Sequence, residues 1–110
     1  MSINVWALKR DTDIKHLLLE LSRVLGLKAF DIHAPDDGHP QSIELLSKED
    51  PRLKAYIYTF SQAPNDFGLV LDYPMLEDND LSSMETAYEE IKLDYLIDLL
   101  AAHFDIAYTT

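Results

Sequence analysis

The chain has 110 residues, a size typical of one domain with one hydrophobic core, so we expect residues 1–110 to form a single domain. It contains no cysteine, which excludes disulfides and thiolate ligands or nucleophiles. The formal net charge is −11, and residues 55–110 carry eleven acidic residues against one lysine. Such a field repels nucleic acid and anionic lipid, and it attracts cationic partners.

The N-terminal segment lacks the pattern of a signal peptide, because no basic region precedes a long apolar one. No apolar stretch approaches the roughly 20 residues that a membrane-spanning helix needs. We therefore expect a cytoplasmic protein that does not bind membranes.

The first elements in chain order are a strand, a helix and a second strand. Residues 2–8 form a short apolar run rich in β-formers, which predicts a buried strand. Apolar residues then recur at helical spacing from Ile14 to Leu25, and Gly26 follows as a stop signal, which predicts an amphipathic helix. Residues 29–34 alternate in polarity as a half-buried strand does, and a turn follows.

Three further strands are predicted in the middle of the chain, at residues 42–47, 53–60 and 67–73. The last two flank the turn residues 62–66, which predicts an antiparallel hairpin.

The C-terminal part predicts a second helix and a last strand. Ser82 and Glu85 have the spacing of a capping box, so we expect a helix from there to about Ala102. Its apolar positions cover more than half of the helix circumference, and its acidic positions recur every fourth residue at Glu90, Asp94 and Asp98. Residues 104–108 alternate in polarity and predict a strand.

This order of elements predicts an α+β fold. We expect an antiparallel sheet of four or five strands with both helices on one face, which is a ferredoxin-like open-faced sandwich or a variant of it.

One stretch has the residue types of a metal or acid–base site: Asp31, His33, Asp36, Asp37 and His39. A metal would need three or four of these side chains to converge, whereas turn geometry alone explains the residues between 35 and 40. The three glycines of the chain are too dispersed for a phosphate loop or a nucleophile elbow. We expect no cofactor, and an enzyme or metal-binding domain that uses His33 and His39 is the third functional hypothesis.

The leading hypothesis is a non-enzymatic acidic module that neutralises or docks onto a basic protein. An immunity protein or antitoxin-like inhibitor of a cationic nuclease toxin would have this character, because concentrated negative charge speeds electrostatic capture. The predicted partner-binding residues are all acidic: Asp72, Glu77, Asp78, Asp80, Glu90, Asp94 and Asp98. The alternative is a small homo-oligomeric structural or regulatory domain, with a dimer formed by the second helix or an edge strand.

Overall fold

A computed structural model describes residues 5–26, 30–50, 52–73 and 84–106. A 3-10 turn, Val5–Ala7, precedes two helices and five strands: α1 (Thr12–Leu25), β1 (Phe30–His33), β2 (Ser42–Ser47), β3 (Lys54–Tyr58), β4 (Phe67–Tyr73), β5 (Met84–Ile91) and α2 (Leu93–His103). The strands form one antiparallel sheet in the order β1-β2-β3-β4-β5, so each strand pairs with its neighbour in the sequence. The predicted α+β class and antiparallel sheet are confirmed.

The first helix forms where the apolar spacing predicts it. Ile14 and Leu21 are fully buried on its inner face. Asp11 precedes the helix in an extended conformation, and Gly26 ends it with a φ of 86°. The Gly26 N–H donates to the Ser22 carbonyl at 3.0 Å, so this carbonyl of the last turn has a hydrogen-bond donor.

Both helices pack on the same face of the sheet. The strand residues of the core alternate along each strand and align across it, as Ile43, Ile57 and Leu69 do in the β2–β3–β4 register. Leu18 of α1 and Leu100 of α2 belong to the same buried cluster as these strand residues. The opposite face of the sheet, which we call the open face, has no covering layer among the described residues.

The predicted N-terminal strand is wrong over the described residues 5–8. Val5–Ala7 is a single 3-10 turn, closed by the Leu8 N–H donating to the Val5 carbonyl at 3.1 Å. Val5 is buried, while Trp6 is exposed and contacts the ring of His16, so this part of the apolar run packs against α1 instead of joining the sheet.

The predicted helix from Ser82 to about Ala102 is wrong in the first half of its described part, because Met84–Ile91 is strand β5. Exposure alternates there with period two: Glu85 and Ala87 are exposed, and Thr86 and Tyr88 are half-buried. Pairing with β4 supplies the backbone partners that a helix would otherwise provide. The predicted helix start at Ser82 lies outside the described residues, and α2 begins only at Leu93.

The predicted last strand does not form in its described part, because residues 104–106 follow α2 as a turn and the remaining residues lie outside the described ranges. The order of elements therefore differs from the strand-helix-strand-strand-helix-strand order of a ferredoxin-like fold. Among the described residues, five strands lie between the two helices, and the sheet has the order of a simple meander.

Candidate functional site

The predicted acidic ladder is divided between two elements. Asp94 and Asp98 lie one turn apart on α2, and both are exposed. Glu90 does not belong to that helix, because it lies near the end of β5 with a φ of 54°. The three-membered helical ladder is therefore wrong, although all three carboxylates belong to one continuous stretch of chain.

The remaining predicted partner-binding residues have different positions. Asp72 lies on β4, opposite Lys54 of β3 and Glu85 of β5, and it is half-buried. Its Oδ1 atom is buried and has no hydrogen-bond partner among the described residues. Glu77, Asp78 and Asp80 lie outside the described residues.

The segment from residue 84 to residue 106 concentrates negative charge on the surface. It contains six acidic residues, and every one is exposed: Glu85, Glu89, Glu90, Asp94, Asp98 and Asp105. Its one basic residue, Lys92, is already bonded to the Asp66 carboxylate. The exposed surface of this segment is therefore acidic, with little compensating positive charge of its own.

His103 adds no positive charge at neutral pH. Burial lowers the pKa of this imidazole, and its hydrogen bond to the Lys54 carbonyl and the nearby Asp72 oppose that shift only in part. The Nε2–H donates to the Lys54 carbonyl at 2.8 Å, and the ring meets Tyr73 edge-on. Because the neutral form is favoured, this buried histidine packs near the end of α2 without adding a charge.

A row of aromatic rings runs along β3 on the open face and continues beyond the end of that strand. The ring of Tyr58 lies 5.8 Å from that of Tyr56 and 4.6 Å from that of Phe60. The ring of His39 lies another 4.6 Å beyond Phe60. A Cβ on Gly68 would come within 2.0 Å of the Tyr58 ring, so the missing side chain at Gly68 makes room for this row.

The aromatic row lies near the acidic segment. Burial raises the pKa of Tyr58, and the charge of Glu89 raises it further. The register of the sheet agrees with this, because Tyr58 pairs with Gly68, and Gly68 lies opposite the irregular stretch of β5 that contains Glu89. The open face thus combines flat apolar surface with carboxylates, an arrangement that suits lysine and arginine side chains.

The two histidines of the predicted metal or acid–base stretch have separate partners. The Nδ1 atom of His33 lies 3.0 Å from Oε1 of Glu44 on the open face. The Nδ1 atom of His39 accepts the backbone N–H of Gln41 at 3.0 Å. Neither ring is therefore directed at the other.

The acidic members of that stretch are exposed and have separate surroundings. Asp31 lies 3.5 Å from Lys48, and Asp36 lies 4.0 Å from Lys9. Asp37 is exposed in the turn after β1. Over the part of the chain that the structure describes, no three His, Asp or Glu side chains are grouped as metal ligands would be.

A cleft of about 490 Å³ opens between α1 and the loop that joins β3 to β4. Asp13, Glu20 and Asp66 line it together with Leu93 of α2. Glu20 is bonded to Arg23, and Asp66 is bonded to Lys92, so two of its carboxylates already have cationic partners. No local sequence pattern predicts this cleft, because its walls come from distant parts of the chain.

Sequence reasoning also missed Glu85 and Glu89 as surface residues of a strand. The sequence contains no clear signal of this strand, because polar and apolar residues do not alternate from Glu85 to Glu90.

Comparison of the chain with protein-family models, curated protein sequences and solved structures returned no match. Among the described residues, neither helix has the length and apolar character required to cross a membrane.

Proposed function

We propose that the chain is a non-enzymatic acidic docking module that binds and neutralises a basic protein. An immunity protein or antitoxin-like inhibitor of a cationic nuclease toxin acts in this way. One observation carries the proposal: the segment from residue 84 to residue 106 exposes six carboxylates, while its only lysine is paired with Asp66. A cytoplasmic location belongs to the same proposal.

The continuity of this acidic surface supports the proposal. Strand β5 leads into α2 through Lys92 alone. The rings of Tyr88 on β5 and Tyr95 on α2 meet edge-on with centroids 6.1 Å apart. Glu85, Glu89, Glu90, Asp94 and Asp98 therefore belong to two adjoining elements in contact with each other. Their fields add in steering a cationic partner.

The two rival functions have less support. The apolar arc that suggested a helix-mediated dimer is used inside the molecule, because Leu96, Ile97 and Leu100 are buried in the core. The enzyme or metal hypothesis needed His33 and His39 to converge, and each has a different partner.

The test is kinetic binding to the protein that co-purifies with the chain, once that protein is identified. We compare the wild type with a Glu90→Lys, Asp94→Lys, Asp98→Lys variant at about 50 and 150 mM salt, a range over which exposed charges become screened. The association rate of the wild type should fall with salt. At the lower salt concentration, the variant should associate at least about tenfold more slowly, whereas dissociation should change less.

The matched control is an Asp31→Lys, Asp36→Lys, Asp37→Lys variant, which changes the net charge equally. These residues lie on or after β1, at the sheet edge opposite β5. Four strand spacings of about 4.8 Å separate the two edges. Equal slowing by both variants, or indifference to salt and charge, would show that the acidic surface serves solubility alone.

A further inference from the structure

Strand β5 forms one outer edge of the sheet. Its inner side pairs with β4, and no described residue pairs with its outer side. β5 has eight residues, whereas β1, at the opposite edge, has four. An edge strand of this length presents a row of unpaired backbone N–H and C=O groups, which accept another extended chain.

The two faces of β5 differ in chemistry. Glu85 and Ala87 lie on the open face, and Thr86 and Tyr88 lie on the helix-covered face, as the register with β4 requires. The ring of Tyr88 contacts the ring of Tyr95 on α2, and Tyr95 is 49% exposed. An added strand would therefore meet carboxylates on one face and aromatic rings on the other.

Glu89 continues the acidic face, and Glu90 ends the regular strand. The Glu90 residue has a φ of 54°, and its backbone N–H donates to Oε1 of Gln62 at 2.6 Å. The register with β4 is also irregular in this region. Regular pairing is therefore available to an incoming chain only from Met84 to about Glu89.

We propose that the outer edge of β5 receives an extended cationic segment of the basic partner as a sixth strand. Lysine or arginine at alternate positions would lie beside Glu85 and Glu89, and the apolar residues between them would lie beside Tyr88 and Tyr95. Backbone hydrogen bonds would supply affinity, and the alternate side chains would supply specificity. This inference rests on the proposed function, to which it adds the kind of partner segment and its mode of binding.

Charge complementarity favours this occupant over a second copy of the chain. Two β5 edges in contact would bring the carboxylates of Glu85 and Glu89 near those of their own copies, and like charges across a strand pair are destabilising. A cationic strand reverses the sign of the same interaction.

The experiment uses the full chain and a capped octapeptide that alternates lysine and valine. One comparison peptide has the same composition with the lysines grouped at one end, and another has N-methyl groups on alternate backbone nitrogens of one edge. Fluorescence anisotropy measures binding at low salt, and amide hydrogen exchange followed by NMR locates the bound peptide.

The alternating peptide should bind most tightly and should slow exchange of the β5 amides by at least about tenfold, because exchange reports local opening of the backbone. N-methylation should remove this protection. A Glu85→Lys, Glu89→Lys variant should bind at least about tenfold more weakly, whereas the equally charged Asp31→Lys, Asp36→Lys variant should lose much less affinity. Far-UV circular dichroism checks that both variants are folded.

Three results would overturn the inference: no binding of the peptide, protection located on β1, or charge-dependent binding without protection of β5. None of them bears on the kinetics with the intact partner. If those kinetics depend on Glu90, Asp94 and Asp98 while β5 stays unprotected, the docking function stands and only strand addition fails.

Discussion

Single leucines on α1 differ sharply in their contribution, because the helix has one buried face. Leu18 is 1% exposed, whereas the adjacent Leu19 is 39% exposed. Leu18→Ala should lower the free energy of unfolding by about 2–5 kcal/mol, the usual cost of truncating a buried leucine. Leu19→Ala is the matched control and should cost less than about 1 kcal/mol. Urea titration measures both, and a loss below about 0.5 kcal/mol for Leu18→Ala would contradict its place in the core.

His103 makes the stability depend on pH. Because burial lowers the pKa of His103 in the folded state, the unfolded chain binds the proton more readily. Its contribution to stability is therefore complete above about pH 6.5, the ordinary histidine value, and is lost as the pH falls through the lower folded value. His103→Gln removes the titrating group and keeps a donor for the Lys54 carbonyl.

The measurement is the urea midpoint of the wild type and His103→Gln at about pH 7.5 and 5.5, on either side of the ordinary histidine pKa. The wild type should lose more stability on acidification than the variant does. The difference between them isolates His103, since the carboxylates are common to both proteins. Equal losses would mean that His103 titrates alike in the folded and unfolded chain.

At the scale of elements, glycine substitutions distinguish strand β5 from the helix expected there. Glu90 has a φ of 54°, which glycine adopts without strain, so Glu90→Gly should be neutral or stabilising by up to about 1 kcal/mol. Glu89→Gly is the matched control and should destabilise by about 0.5–1 kcal/mol, because Glu89 lies in a strand without a positive φ. Comparable destabilisation by both substitutions would indicate a helix across these residues.

The sequence predicted α1 and the strands β1 to β4 because their signals are local. Spacing of apolar residues and a terminal glycine suffice for α1, and alternation bounded by turn residues suffices for the hairpin. The sequence did not predict β5, because the local pattern fits a helix equally well. Glu85 has the spacing of a capping box, and Tyr88, Ile91 and Tyr95 recur at helical spacing. Pairing with β4 decides between the two, and no local pattern contains that information.

The candidate site was only partly predictable for the same reason. Composition located the acidic half of the chain, and Asp94 and Asp98 do lie together on α2. The error over Glu90 followed from the error over β5. The nearness of Glu89 to the aromatic row required the fold of the sheet, which brings Tyr58 and Glu89 together from distant positions in the chain.

At the scale of the whole molecule, the net charge of −11 destabilises the folded state, because its acidic side chains repel one another. Raising the salt concentration from about 10 to 200 mM should therefore increase the free energy of unfolding, by about 1 kcal/mol or less. Glu85→Lys with Asp94→Lys brings the formal charge to −7 and should reduce this gain, whereas Lys9→Glu brings it to −13 and should enlarge it. Urea titrations of the three proteins at both salt concentrations measure the effect. An increase in the free energy of unfolding that is the same in all three proteins would contradict this explanation.

Because the core lies on one face of the sheet, the strand positions form two sets that differ in how well they tolerate substitution. Along β2 to β4, residues directed at the helices determine whether the chain folds, and the residues between them do not contribute to that core. Substitutions of Tyr56, Val70 or Glu44 can therefore accumulate at little cost to folding. Descendants of such a protein could retain one scaffold while the open face diverges to recognise different partners, with alternate residues of each strand evolving at different rates.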